Sequence, residues 1–425
     1  MHAVDVELFD AMQVRETEKM DRELFVFVDE TTWPAAPGLP AIPASFGTGA
    51  QTFDVNIPAL LLTIGYLTTP SHASGVSLSE FWAWVRYLHA VADAPDLRLT
   101  PAFFELDAHQ KTILSDDFGM GAPIYWLMDR LQLGPIADGR YFIDRVAASV
   151  GATATKPKKR GPGKSPDFVA QDTSGIWHII ECKGTQTGNG YREQQLGALG
   201  PPPTGAIAQK RTITFPPGYS GQRLACGLQI GVQGGAHGSS LRIIDPPGEE
   251  KFAVDEDEMI YANDAIIRAA SAKSLRLAGF GASSAAMSAP SGATPRSRPT
   301  SGRYERMRRE TVDDKKARAE DELKNRRDRA AFTADKRRYL GRQMDFDLPA
   351  PITVGKSTFR SVRVRYGVSL DFLGELSNHP LVEDPIQEVD GDLAAAKERT
   401  TTDEAGKGAR MHVGEAFVSE INLRS

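Results

Sequence analysis

The chain has 425 residues, of which 41% are hydrophobic and 25% charged, and its formal net charge is −5. That length exceeds one ordinary hydrophobic core and predicts two or three domains of a globular protein. The net charge excludes any argument for a polyanion partner from composition alone, so only the distribution of charge along the chain can carry one. The two cysteines, Cys182 and Cys226, both sit in apolar runs. They read as buried free thiols in a reducing compartment and exclude a disulfide framework. Residues 1–14 show no basic stretch followed by an apolar one, so no secretory leader is expected. The longest apolar run, 57–67, falls well short of the roughly 20 residues a membrane helix requires. A soluble cytoplasmic protein without a membrane partner is the expectation.

In chain order, residues 25–28 and 54–62 read as strands joined by a Pro- and Gly-rich connection over 34–49. The run Ser77-Leu78-Ser79-Glu80 is a capping box, opening a helix with Phe81, Trp84, Val85 and Leu88 on one apolar face. Core packing explains that face, and no chemistry is visible in the first 110 residues. Helices are predicted over 121–133 and 141–150. A basic loop, 156–165, precedes two short apolar runs, 166–170 and 176–184, that read as a hairpin closed by a turn over 171–175. The stretch 184–200 is polar and Gly-rich, 206–210 reads as a helical turn, and 223–232 and 240–244 read as strands. This order of elements predicts a compact α/β unit over 111–250, between an accessory domain at 1–110 and an accessory region at 251–425. Within the last region a helix is predicted over 263–277 and a low-complexity linker over 281–302. Residues 303–342 carry 15 Lys and Arg against nine Asp and Glu, a net +6, and read as an exposed helix or helical hairpin. A strand over 359–370 and a polar tail complete the chain.

The hairpin carries the chemistry. Side chains alternate between faces of a strand, so Asp167 and Val169 share one face, and Trp177, Ile179, Glu181 and Lys183 share one face of the second strand. Ile180, Cys182 and His178 point the other way, into a core. Two carboxylates and an ammonium therefore meet on one side. Mg²⁺ prefers oxygen ligands at about 2.0–2.1 Å and is commonly held by one or two carboxylates with waters and substrate phosphate. Asp167 and Glu181 supply those carboxylates, and the backbone carbonyl of Cys182, between Glu181 and Lys183, offers a further oxygen. Such a metal lowers the pKa of bound water, and Lys183 beside it offsets charge building on the phosphate. The rival reading of these residues is a solvated hairpin with a Glu/Lys pair on its exposed face, but Trp177 and Ile179 share that face.

The set Pro166, Asp167, Glu181 and Lys183, with the order of elements around it, resembles the PD-(D/E)xK nuclease superfamily, whose fold includes many restriction endonucleases. The resemblance covers 111–250, about a third of the chain. It implies a restriction-endonuclease-like core, a mixed sheet flanked by helices. It also implies Asp167 and Glu181 as ligands of Mg²⁺ (or Mn²⁺) and Lys183 as the catalytic lysine. Members often add an acid from the helix before the hairpin, for which Asp117 in Ser115-Asp116-Asp117-Phe118-Gly119 is the candidate; an acidic cap at a helix N-terminus is the alternative for that residue. The Gln-x-x-x-Tyr pattern of the exonuclease branch is absent after Lys183.

Upstream of Asp167, Lys158, Lys159, Arg160 and Lys164 lie in a flexible loop suited to gripping phosphates, or else form an ordinary solvated loop. The mixed signs over 303–342 favour a solvated or partner-facing helix above a second nucleic-acid surface. The eight histidines show no zinc spacing. Gly163-Lys164-Ser165 lacks the leading glycine and following helix of a phosphate-binding loop, and the glycine-rich run over 233–238 fits a turn. No Gly-x-Ser-x-Gly occurs. The expected function is metal-dependent hydrolysis of phosphodiester bonds in DNA by an endonuclease. By analogy alone, restriction or antiviral defence is its setting. A homodimer or a partner bound through the C-terminal region would let two sites break both strands. The alternatives are a non-catalytic nucleic-acid-binding or complex-assembly protein retaining the fold, and a structural subunit that binds no Mg²⁺.

Overall fold

The computed structural model describes residues 20–34, 39–72, 87–149, 165–197, 205–209, 213–245, 252–289, 302–354, 356–378, 397–404 and 407–425. The elements run β1 (Asp21–Val28), β2 (Gly49–Asn56), α1 (Ile57–Thr68), β3 (Arg98–Leu99), α2 (Pro101–Phe104), α3 (Ala108–Arg130), β4 (Leu133–Asp138), α4 (Gly139–Ser149), β5 (Phe168–Asp172) and β6 (Trp177–Thr185). They continue with α5 (Asn189–Leu196), α6 (Gly205–Gln209), β7 (Ile213–Thr214), β8 (Ser220–Gln229), β9 (Gly231–Val232), β10 (Ser240–Ile244), β11 (Phe252–Ala253), α7 (Met259–Leu277), α8 (Gly281–Met287) and α9 (Gly302–Lys324). The chain closes with β12 (Ala330–Ala334), β13 (Arg337–Val354), β14 (Ser357–Ser369), α10 (Leu370–Asn378), β15 (Thr400–Glu404), β16 (Gly408–Val413) and β17 (Phe417–Arg424).

The molecule is mixed α/β. A seven-stranded mixed sheet has the order β2-β1-β10-β8-β6-β5-β4, flanked by helices, and a separate antiparallel sheet has the order β12-β13-β14-β17-β16-β15. In the first sheet β1–β10 and β6–β8 are parallel and the other neighbours antiparallel. The strands of the first 56 residues are thus hydrogen-bonded into the same sheet as those of 133–244, and α3 runs through the boundary drawn at residue 110. Helices α1 and α7 lie between the two sheets: α1 packs on α3 and on β16 and β17, while α7 packs on α4, β4 and β14. Their side chains belong to one continuous apolar cluster shared by both sheets. Among the described residues no helix is long and apolar enough to cross a membrane.

Several expectations are corrected. The strand predicted over 54–62 ends at Asn56, and the apolar run after it is helix α1. The Asn56 side chain accepts from Ala59 N–H at 3.1 Å and Pro58 occupies the first turn, a start signal that outweighs an apolar run lacking either period. The helix predicted from 121 begins at Ala108, where Asp107 caps it by accepting from the N–H groups of His109 (3.0 Å) and Gln110 (3.1 Å). The linker predicted from 281 opens with helix α8, whose Ser283, Ser284, Ala286 and Met287 are buried; small residues pack where composition alone suggests a tether. The charged helix stops at Lys324, and residues 330–342 are the start of the antiparallel sheet. The expected polar tail holds β15–β17, with Met411, Phe417 and Ile421 buried. The capping box at Ser77–Glu80, Phe81, Trp84 and Val85 lie outside the described residues.

Candidate active site

The site is built on β5 and β6, whose register pairs Phe168 with Ile180 and Val169 with Ile179. Asp172 shapes the turn between them. Its Oδ1 accepts from the N–H groups of Ser174 and Ile176, both at 2.9 Å, and Gly175 takes φ +85°, the left-handed region open to glycine. His178 is the hydrogen-bonded buried histidine its position predicts. Its Nδ1 accepts from Gln222 N–H at 3.1 Å and its Nε2 lies 3.2 Å from Asp172 Oδ2. Cys182 and Cys226 are buried free thiols paired across β6 and β8. Burial, with Cys226 beside it, pushes the Cys182 thiol up and keeps it inert.

At the open end of the hairpin each carboxylate accepts a backbone N–H from the other strand. Asp167 N–H donates to Glu181 Oε2 at 2.9 Å, and Cys182 N–H donates to Asp167 Oδ2 at 2.8 Å. An extended strand sends the N–H and C=O of one residue to the same side, so the Cys182 carbonyl is directed toward Asp167. Glu181 is fully buried, and the Lys183 ammonium donates to its Oε1. Burial and then the Asp167 charge raise Glu181 to about 8, against the opposing pull of Lys183. Asp167 is raised by burial, opposed by Lys183 and the Cys182 N–H. Burial works to lower Lys183, but Glu181 and Asp167 outweigh it and hold the ammonium charged.

Helix α3 supplies a third acid, and it is Asp116. A side chain at Gly119 would put its Cβ 2.5 Å from Gly184 N, and one at Gly184 would put its Cβ 1.7 Å from Ser115 O. The helix therefore lies backbone to backbone against β6 at Lys183-Gly184. Gln186 Nε2 adds a bond to Ser115 Oγ at 3.1 Å. Asp116 stands three residues before Gly119 and so shares its helix face, whereas Asp117, two before, does not. The Asp116 carboxyl is raised by partial burial and by Asp167, and opposed by Lys183. Asp117 instead accepts from Tyr87 O–H at 2.5 Å, and it is mid-helix, so a capping role does not describe it. The sequence signal that selects Asp116 is the glycine at i+3.

Glu181 thus accepts from the Lys183 ammonium directly, and Asp116 and Asp167 act on it through their charge. Among the described residues, no three His, Cys, Asp or Glu side chains converge closely enough to hold a metal ion on their own. Asp167 and Glu181 nonetheless present two hard oxygen donors, with Glu181 raised by burial and then by the Asp167 charge, and Mg²⁺ needs no more than two when waters complete its shell. The donor set fits that ion. Lys158, Lys159, Arg160 and Lys164 lie outside the described residues. Comparisons with protein-family models, curated proteins and solved structures find no match for this chain.

Proposed function

We propose that this protein is a metal-dependent phosphodiesterase with a restriction-endonuclease-like core that cuts nucleic acid, DNA first. One observation carries the reading: a fully buried glutamate and an aspartate that each accept a backbone N–H from the other's strand, with a lysine bonded to the glutamate. Burying like charges together is costly unless they serve a ligand or a reaction. Asp167 and Glu181, with the Cys182 carbonyl, would hold Mg²⁺ or Mn²⁺, which supplies a more acidic bound water and neutralises phosphate charge. Lys183 stays protonated, its ammonium bonded to Glu181, and would offset charge building on a phosphate beside it. Asp116 contributes a half-solvated carboxylate that can order water beside that place. The basic residues Lys158, Lys159, Arg160 and Lys164 would grip flanking phosphates.

The test is incubation of the purified protein with supercoiled plasmid, linear duplex, single-stranded DNA and RNA, in Mg²⁺, Mn²⁺ or EDTA, beside Lys183→Ala. Cutting that needs metal and falls on the order of 10²–10⁴-fold in the variant is the expected result. The lack of a three-ligand cluster among the described residues favours one other reading, a non-catalytic nucleic-acid-binding protein. Retention of DNA on a gel without metal and without cutting would establish that reading in place of the first.

A further inference from the structure

We propose that Gln229 is a positioning residue for Lys183, a role that rests on the metal site proposed for Asp167 and Glu181: its side-chain carbonyl receives the ammonium when Glu181 turns from the lysine to a metal ion. In the metal-free protein both oxygens of Glu181 are engaged, Oε2 by the Asp167 N–H at 2.9 Å and Oε1 by the Lys183 ammonium. The first donor is backbone, held by the hairpin, whereas the second ends a flexible four-carbon stem. Two cations on one carboxylate oxygen repel each other. A Glu181 that ligates a metal therefore gives up its lysine and keeps its backbone bond. The Lys183 side chain is only 23% exposed, so the freed ammonium needs another acceptor within the protein.

Strand β8 supplies that acceptor at one position. It runs parallel to β6 in a register that sets Glu181 opposite Ala225, Lys183 opposite Gly227 and Thr185 opposite Gln229. Residues two apart share a face of a strand, so Ala225, Gly227 and Gln229 stand on the same side of the sheet as Glu181 and Lys183. Alanine and glycine offer no side-chain oxygen. Gln229 is the diagonal neighbour of Lys183, on the side away from Glu181. Strand spacing and rise put their Cα atoms roughly 8 Å apart, a gap that a lysine and a glutamine side chain bridge together. Gln229 is 6% exposed, and its Oε1 is buried with no hydrogen-bond partner among the described residues. Such an orphan is rare in a folded protein and needs an explanation. Helix α5 closes this side of β8: a side chain at Gly227 would put its Cβ 2.9 Å from both Arg192 Cγ and Leu196 Cδ1. Arg192 does not satisfy the orphan, because its guanidinium donates to Glu193 Oε1 and to Ser240. Lys183 thus lies between a carboxylate that holds it in the metal-free state and an amide oxygen that is unused there. The hand-over moves no proton and breaks no covalent bond; it changes only which oxygen the ammonium faces.

The test is calorimetric titration of the full chain with Mg²⁺, with thermal unfolding in EDTA alongside, for wild type, Gln229→Met, Lys183→Met and the double variant. Methionine matches the length of glutamine without its polar end, and Gln229→Leu is the second choice should methionine not pack. Removing an orphaned carbonyl should leave the melting temperature in EDTA unchanged or higher. The Mg²⁺ affinity of Gln229→Met should nonetheless fall about 10-fold, the usual loss for a hydrogen bond to a charged group. In the Lys183→Met background the same replacement should have no effect, because no ammonium is left to receive. Equal losses in both backgrounds, or a lower melting temperature in EDTA, would make Gln229 a structural residue and overturn the proposal. An affinity unchanged by Gln229→Met would overturn it too, and metal-dependent cutting by the same preparation would leave the phosphodiesterase reading standing. Conversely, Mg²⁺ binding that depends on Gln229 in a protein that cuts no nucleic acid would uphold the hand-over and remove the phosphodiesterase reading. Wild type that binds no Mg²⁺ would overturn both.

Discussion

If Asp167 and Glu181 hold Mg²⁺, the metal has to displace a proton. Burial and the Asp167 charge raise Glu181 to about 8 in the metal-free protein, so the proton-bearing form is favoured at pH 7. A metal ligand must be ionised, so binding at pH 7 releases close to one proton. The apparent Mg²⁺ affinity should therefore rise about tenfold per pH unit below 8 and level off above it. The sign follows from the direction of the shift: a raised carboxyl is protonated at neutral pH, and alkali favours the metal-ready form. The same shift makes the metal-free fold lose stability as pH rises from the ordinary glutamate range through 8, because the folded state holds a proton the unfolded state has released. Calorimetry at pH 6, 7, 8 and 9, in buffers of different ionisation enthalpy, reads both affinity and proton release. Glu181→Gln should bind weakly with no slope. A Mg²⁺ affinity that is flat between pH 6 and 8 in wild type, or equal in Glu181→Gln, would refute the reasoning.

Asp116→Asn should lower metal-dependent cutting about 10-fold to 100-fold, as loss of a group supporting a metal site does, while Asp117→Asn stays near wild type in rate; equal rates for the two would remove Asp116 from the site. Gly119→Ala drives a methyl into the backbone at Gly184 and should cost about 1–3 kcal/mol by denaturant unfolding, with reduced cutting. An unchanged midpoint would mean that the helix–strand contact is looser than described. Replacing Lys158, Lys159, Arg160 and Lys164 together by Ala should reduce the slope of log affinity against log salt by about 3 to 4, read by DNA retention at graded salt; an unaltered slope would show that the loop makes no phosphate contact.

The carboxylate hairpin was legible because everything that builds it is local: a period-2 pattern, a turn from Asp172 to Gly175, and residues less than 20 apart. Helix α1 was not, because a run buried on all sides has neither the alternation of a half-buried strand nor the stripe of a surface helix. Strands β12 and β13 were hidden for the opposite reason: their exposed faces carry charge, as where Asp345 of β13 accepts from Arg363 of β14 at 2.7 Å. Choosing between Asp116 and Asp117 required the phase of α3 against β6. That phase is set by the contact between Gly119 and Gly184, residues distant in sequence whose significance is only the side chains they lack.

The strand order has a consequence for how the protein is made. The β5–β6 hairpin can pair as soon as it leaves the ribosome, but β6 takes its parallel neighbour from β8, with Trp177 opposite Ser220, and β1 takes its parallel neighbour from β10, with Phe25 opposite Ser240. At about 5–20 residues per second, the nascent chain waits seconds between Lys183 and the last residue of β8. Parallel pairings of such separation close slowly. Until β8 arrives, Glu181 and Lys183 sit on an edge strand open to water, where a carboxylate has no reason to hold a proton at neutral pH. The perturbed site therefore comes into being late in synthesis, and a fragment ending before β8 carries its residues without its chemistry.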